Sequence, residues 1–458
     1  MKKILCLLFL ALQFTNSNAQ NFKKDSATIK QMSNYILTNY QCYNDLRYLC
    51  KNIGHRISGS PQAAKAVEWG KEVMEKTGCD RVFLQEVMVP HWVRGEEEGV
   101  IINSKGKRTP VPVMSIGNAV GTGNKGIEAP LLMINNVEQL QRMNPKDVKG
   151  KIVFYNYRFD QTNVNTFESY GPCVYYRWGA PSEASKMGAV AVVIRSVSSA
   201  FDDKPHTGSV AYDKKYPAIP SIAISNIAAD QLEKQMLAER NMKMYIRTTC
   251  EMLPDVLSYN VVGEITGSEI PNEIICWGGH LDSWDVGDGA HDDGAGVVQS
   301  IEVLRTFVKL GIRPKRTIRA ILFMNEENGL RGGLKYAELA EKNQENHILA
   351  IESDAGGATP YGFSMTMSAA QKQKVKSWLP LLTPCGIYNL EREGGGADIG
   401  PLRRKFGSAV MGLLPDSQRY FDMHHSANDV FENVHRRELC LGSLAMSAMV
   451  YLVSMYGL

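Results

Sequence analysis

The sequence predicts an α/β protein, with a mostly parallel central sheet carrying helices on both faces and a β-rich domain inserted into it. Three observations carry that expectation. From about residue 255 onward, apolar strand-like runs alternate with helical segments, the signature of a parallel sheet covered on both sides. Between about Thr109 and residue 250 the texture changes to short β-rich runs broken by Gly, Pro and Asn. At 458 residues, moreover, the chain is too long for one ordinary core.

In chain order, residues 1–19 read as a cleavable leader: Lys2 and Lys3, then ILCLLFLAL, then polar Asn16–Asn18 before Ala19. Its apolar stretch is too short to span a bilayer, and it directs the protein to a secreted or periplasmic location. Residues 20–108 open the main domain with two helical segments, ATIKQMSNYILTNY and SPQAAKAVEWGKEVMEKTG. The second is capped by Ser60 and has Pro61 at its first position. Residues 109–252 form the insert, with PVPVMSIGNAVGTGNKG, KIVFYN, AVAVVIRSV and AIPSIAIS. No candidate ligand falls within it, which favours a lid or substrate-shaping role.

Residues 253–458 complete the main domain. EIICWGG (Glu273–Gly279) is a strand, and GAGVVQSIEVLRTFVKLG is a helix with Val297, Ile301, Leu304 and Val308 at helical spacing. RTIRAILFMNEENG and HILAIESDAGG follow as further strands. The stretch 439–458 is uncharged and long enough to cross a membrane, but small and polar residues dilute it, so a buried helix is the expectation.

Acids and histidines collect where these strands end. His280 follows EIICWGG, and Asp292 and Asp293 stand just before the next helix. Glu326 and Glu327 end RTIRAILFMN, Asp354 ends HILAIES, and His424 and His425 precede Asp429. In open α/β sheets, binding crevices form at the carboxyl ends of strands. Imidazole and carboxylate together suit a borderline divalent metal such as zinc. A solvated acidic face would instead set its acids along a helical stripe.

This constellation resembles the dizinc exopeptidase family that contains bacterial leucyl aminopeptidases and glutamate carboxypeptidases. HLDSWDVGDGAHDDGAG, the strand-end EE, ESDAG and HHSAND stand in the family's order. IGHRISGS, VPHWVRGEE, KGKIVFYN, SKMGAVAVVIRSV and PHTG extend the likeness over essentially the whole mature chain. The resemblance implies a zinc-exopeptidase sheet, an insert of the protease-associated type, and two zinc ions. Asp292 would bridge the ions, His280 and Asp354 would complete one site, and Glu327 and His425 the other. Asp282 would orient the His280 ring, Asp293 would fix the backbone, and Glu326 would act as general base and then general acid. His424 stands where many relatives have an oxyanion-holding tyrosine, and Trp284 either lines the cleft or packs. The glycines of 394–400 form a loop facing the site, in which Asp398 is not a ligand.

The resemblance implies a short peptide or dipeptide as substrate, and a homodimer. A non-catalytic binding protein on the same scaffold and a zinc-dependent glutaminyl cyclase-type enzyme are the alternatives; the complete ligand set with Glu326 disfavours both. Ser-His-Asp chemistry lacks its GxSxG elbow, and nucleotide-binding glycine motifs are absent. The runs KKDSATIKQ and RPKRTIR are too sparse for a nucleic-acid surface. The net charge of +3 falls to +1 once Lys2 and Lys3 leave with the leader, and implies no charged partner. The eight cysteines of the mature chain form no CxxC pair, and most are expected to be buried thiols.

Overall fold

The computed structural model describes residues 22–458; the leader at 1–19 lies outside the described residues. A seven-stranded sheet runs in the order Arg81–Val93, Glu251–Ile265, Arg316–Phe323, Ile270–His280, Asn346–Glu352, Ala409–Pro415, Pro360–Thr366. The four strands from Arg316–Phe323 to Ala409–Pro415 pair in parallel. The outer joins are all antiparallel. The sheet is therefore mixed rather than mostly parallel. One physical reason is the path of the chain, which leaves the sheet along Arg81–Val93 and returns beside it along Glu251–Ile265, in the opposite direction.

Period-two geometry divides the central strands between two cores. Ile275, Trp277, Ile318, Ala320, Leu322, Leu349 and Ile351 face one way, into the larger core. Cys276, Ile321, Phe323 and Ala350 face the other, against Tyr336, Ala337, Ile399 and Leu402. Strands covered on both faces read as unbroken apolar runs for this reason. Each fully buried Ile, Leu or Phe contributes about 1.5–3 kcal/mol.

Helix Ala295–Lys309 is buried from Ala295 through Phe307, flanked by helices Pro61–Thr77 and Arg436–Tyr456. Ser60 caps Pro61–Thr77 by accepting from the Ala63 amide at 3.1 Å, as its sequence suggests. The C-terminal helix, whose apolar window is 83% buried, is a core element. All eight cysteines of the described residues are thiols, with Cys42 Sγ 3.5 Å from Cys440 Sγ.

A second sheet of eight strands has a parallel centre, Ile127–Ile134, Ile152–Tyr155, Ala191–Arg195 and Ser221–Ile224. It draws in Glu97–Ile102, ahead of the change in texture at Thr109, because only a three-residue link separates that strand from Arg81–Val93. Helices Thr166–Trp178 and Asn226–Ala238 make this part more than a β-rich insert. Thr166–Trp178 reaches over the carboxyl edge of the first sheet.

Candidate metal centre

Three neighbouring parallel strands deliver the acids and the first histidine to one edge. His280 is the last residue of its strand, Asp354 follows the strand ending at Glu352, and Glu326 and Glu327 follow the strand ending at Phe323. After Phe323 the chain turns sharply at Asn325, whose φ of 74° lies in the left-handed region. That turn carries both glutamates to the same crevice, which an extended segment could not do.

Asp292 is the centre of the arrangement. Its Oδ1 lies 3.2 Å from His280 Nε2, which is itself 3.3 Å from Asp354 Oδ1. Its Oδ2 lies 3.1 Å from His425 Nε2, which is 3.1 Å from Glu327 Oε2. One carboxylate thus offers one oxygen to each of two donor triads. Donors held about 2.0–2.1 Å from a tetrahedral zinc stand about 3.3 Å apart, so these separations suit a coordination sphere. Asp292 Oδ2 is also buried without a hydrogen-bond partner, as an oxygen reserved for a cation would be.

The surroundings hold this geometry by main-chain contacts. Asp293 accepts from the His280 amide at 3.0 Å and the Gly296 amide at 2.9 Å, fixing the backbone as its position suggests. Gly296 is required, because a Cβ there would stand 1.8 Å from Ser353 O. Asp429 accepts from the amides of His291 and Asp292 at 2.7 and 3.1 Å.

Asp282 differs from expectation. The His280 ring is met by the main-chain carbonyl of Asp282, at 2.9 Å from Nδ1, whereas the nearer carboxylate oxygen is 3.9 Å away. The carboxylate instead accepts from the amides of Asn325, Glu326 and Glu327, at 2.7, 3.1 and 3.4 Å. It is a positioning residue for the Glu326–Glu327 turn rather than for the ring.

Electrostatics show why these groups need a cation. Burial pushes Glu326 up to about 8, with Asp354 and Asp292 adding to the rise and His280 opposing it. Burial and the Asp292 charge raise Glu327 well above its ordinary range, and burial raises Asp354 too. Against its own burial, Asp292 is held well below by the His280 and His425 imidazoles. Burial lowers His425 to about 4, with Arg177 adding to the effect. Carboxylates crowded this closely in a dry site cannot all ionise unless positive charge joins them, and neutral imidazole with carboxylate is a zinc-type donor set.

His424 stacks on His425, with ring centroids 3.5 Å apart, and its Nε2 is 3.6 Å from Asp292 Oδ2. Asp292, His424 and His425 therefore also form a compact donor group. Glu327 offers another third donor, its Oε2 lying 3.1 Å from His425 Nε2. Trp284 is buried edge-on against Trp92 and His425 and takes the packing role; its amide donates to Glu327 Oε1 at 3.2 Å. Asp398 is buried outside both triads, in a loop tied down by Glu352, which accepts from Ala397 and Ile399 amides at 2.7 and 2.9 Å.

Some supporting residues had no role assigned from the sequence, although Arg56 lies in IGHRISGS and His206 in PHTG. The fully buried Arg56 donates to the carbonyls of Leu281, Asp288 and Gly289 and so braces the His280–Asp292 loop. His206 Nδ1 meets the His424 carbonyl at 2.7 Å. Helix Thr166–Trp178 supplies Phe167, Tyr170 and Arg177 to a cavity of about 560 Å³ whose other side holds Asp292, Glu326 and His425.

Fold and site together define an α/β protein with a candidate metal centre of the zinc type at the carboxyl edge of its sheet. The sequence profile of peptidase family M28 matches residues 260–447. Carboxypeptidase Q of Bos taurus is 34% identical over 412 residues, which cover 90% of this chain and 85% of that protein. The chain belongs to peptidase family M28. A crystal structure of a peptidase M28 precursor from Shewanella amazonensis superposes with a TM-score of 0.90 at 29% identity, covering 95% of this chain and 98% of that one. A zinc aminopeptidase from Bacillus subtilis shares the fold, with a TM-score of 0.65 at 20% identity and 91% and 95% covered.

Proposed function

We propose that the protein is a secreted or periplasmic exopeptidase that holds two zinc ions and hydrolyses short peptides, dipeptides among them. The observation that carries this is the division of the Asp292 carboxylate between two donor triads. His280, Asp292 and Asp354 would hold one ion, and Asp292, Glu327 and His425 the other. Zinc bound there supplies Lewis acidity that polarises a carbonyl and acidifies water.

The chain's own groups do the rest. Glu326 belongs to neither triad, lines the same cavity and is fixed by the Asp282 carboxylate through its amide. It accepts the proton of the attacking water and delivers it to the leaving amine. His424 lines the same cavity, with its Nε2 3.6 Å from Asp292 Oδ2, and would meet the developing oxyanion from that side. The second sheet, a module of the protease-associated type, roofs the cavity through helix Thr166–Trp178 and restricts it to short chains. The leader-like residues 1–19 support export, and a homodimer is the expected assembly.

The test uses purified protein, dipeptides with free or blocked ends, and chelator. Zinc-dependent cleavage of the free dipeptides, lost on chelation and restored by zinc, supports the function. Binding without turnover would make the protein a non-catalytic receptor on this scaffold.

A further inference from the structure

One buried cation beside the site has no carboxylate partner among the described residues. Arg177, 4% exposed, lines the cavity from helix Thr166–Trp178 and is the only lysine or arginine among the described residues to do so. Other buried arginines are committed. Arg195, Arg305 and Arg319 each pair with a carboxylate, and Arg56 is spent on carbonyls. Arg177 donates from Nη1 to Thr207 O at 3.2 Å and from Nη2 to the Tyr170 hydroxyl, and its guanidinium lies 5.3 Å from the Tyr170 ring centroid. A guanidinium has about five N–H donors in a fork that matches a carboxylate, so most of this fork is uncommitted. Burying an unpaired charge is costly, which points to an anion that arrives with the substrate.

The position of Arg177 says which anion. Thr207 O, which accepts from Arg177, is also 3.3 Å from Nδ1 of His425, a member of the Asp292 triads. Arg177 thus shares a main-chain acceptor with the Nδ1 side of the His425 ring, whose Nε2 faces Asp292, and it lines the cavity that holds both residues. Gly208, at φ 141°, leaves it room, because a Cβ there would come 2.3 Å from Arg177 Nε. In a peptide, the scissile carbonyl carbon and the carboxyl carbon of the next residue are separated by three bonds of about 1.3–1.5 Å. Only a chain that ends one residue past the scissile bond presents its α-carboxylate so close to that bond.

We propose that Arg177 binds the free α-carboxylate of the residue on the leaving side of the scissile bond. It is the group that selects peptides ending there, dipeptides above all. The proposal rests on the exopeptidase function above and adds its specificity-determining residue.

The test is a matched pair of substrates, a dipeptide and its C-terminal amide, assayed with zinc-loaded wild type and R177Q. Wild type is expected to favour the free acid by about tenfold or more in kcat/KM, and equal rates overturn the proposal without any variant. In folded R177Q the acid should lose about 10- to 100-fold, the size of a hydrogen bond between charged groups, while the amide changes by less than about threefold. Millimolar guanidinium should restore acid turnover in R177A and leave the amide unchanged. Equal losses on both substrates would mark a structural role, and an undiminished acid preference in R177Q would remove Arg177 from recognition; either result overturns the proposal. Absence of zinc-dependent cleavage of both substrates by wild type would instead overturn the exopeptidase function, and this proposal with it.

Discussion

Replacing Glu326 with Gln isolates proton transfer from metal binding. The side chain keeps its size, and none of the donor contacts at 3.1–3.3 Å around Asp292 involves Glu326. What disappears is a carboxylate that burial and its acidic neighbours push up to about 8. General acid–base catalysis contributes about 10²–10⁴-fold, so kcat should fall by that factor, equivalent to about 2.7–5.4 kcal/mol in the barrier. KM should move little, and zinc content should match wild type. Steady-state kinetics on a dipeptide, with metal analysis of the same sample, reads all three. A kcat within about threefold of wild type would refute the assignment of Glu326. A loss of activity that simply follows loss of zinc would refute it equally.

Two further outcomes follow from the supporting contacts. Asp282→Ala leaves three amides without their acceptor. It should lower kcat and cost about 2–5 kcal/mol of stability, while Nδ1 of His280 keeps its main-chain acceptor; an intact kcat in the thermally characterised variant would contradict the turn-positioning role. Burial pushes Glu302 up to about 7, against the pull of Arg305. A carboxyl raised in the folded state contributes stability that is complete below its unfolded value of about 4.5 and is lost as pH rises through the folded value. Glu302→Gln, neutral throughout, should therefore gain on wild type by about 2–3 kcal/mol between pH 5 and pH 8, and parallel stability–pH curves for the two proteins would count against it.

Much of the candidate site was legible because its acids and first histidine are written at strand ends. His280, Glu326, Glu327 and Asp354 each follow an apolar run, and the parallel centre of the sheet brings such ends together. Asp282 shows the limit of spacing. A histidine two residues before an aspartate does not reveal whether carbonyl or carboxylate meets the ring, and here the carboxylate turns to residues 325–327. The roles of Arg56 and Arg177 were hidden for a different reason. Each sits far along the chain from the residues it serves and carries no local pattern. The sheet's antiparallel flanks were equally hidden, since strand direction there depends on how the chain passes through the second sheet.

The most direct measurement is an anomalous-difference map from crystals of the zinc-loaded protein. Two peaks are expected on either side of the Asp292 carboxylate, one among His280, Asp292 and Asp354 and the other among Asp292, Glu327 and His425. A single peak would contradict the bridged centre, and a second peak held by His424 in place of Glu327 would contradict Glu327 as its third donor.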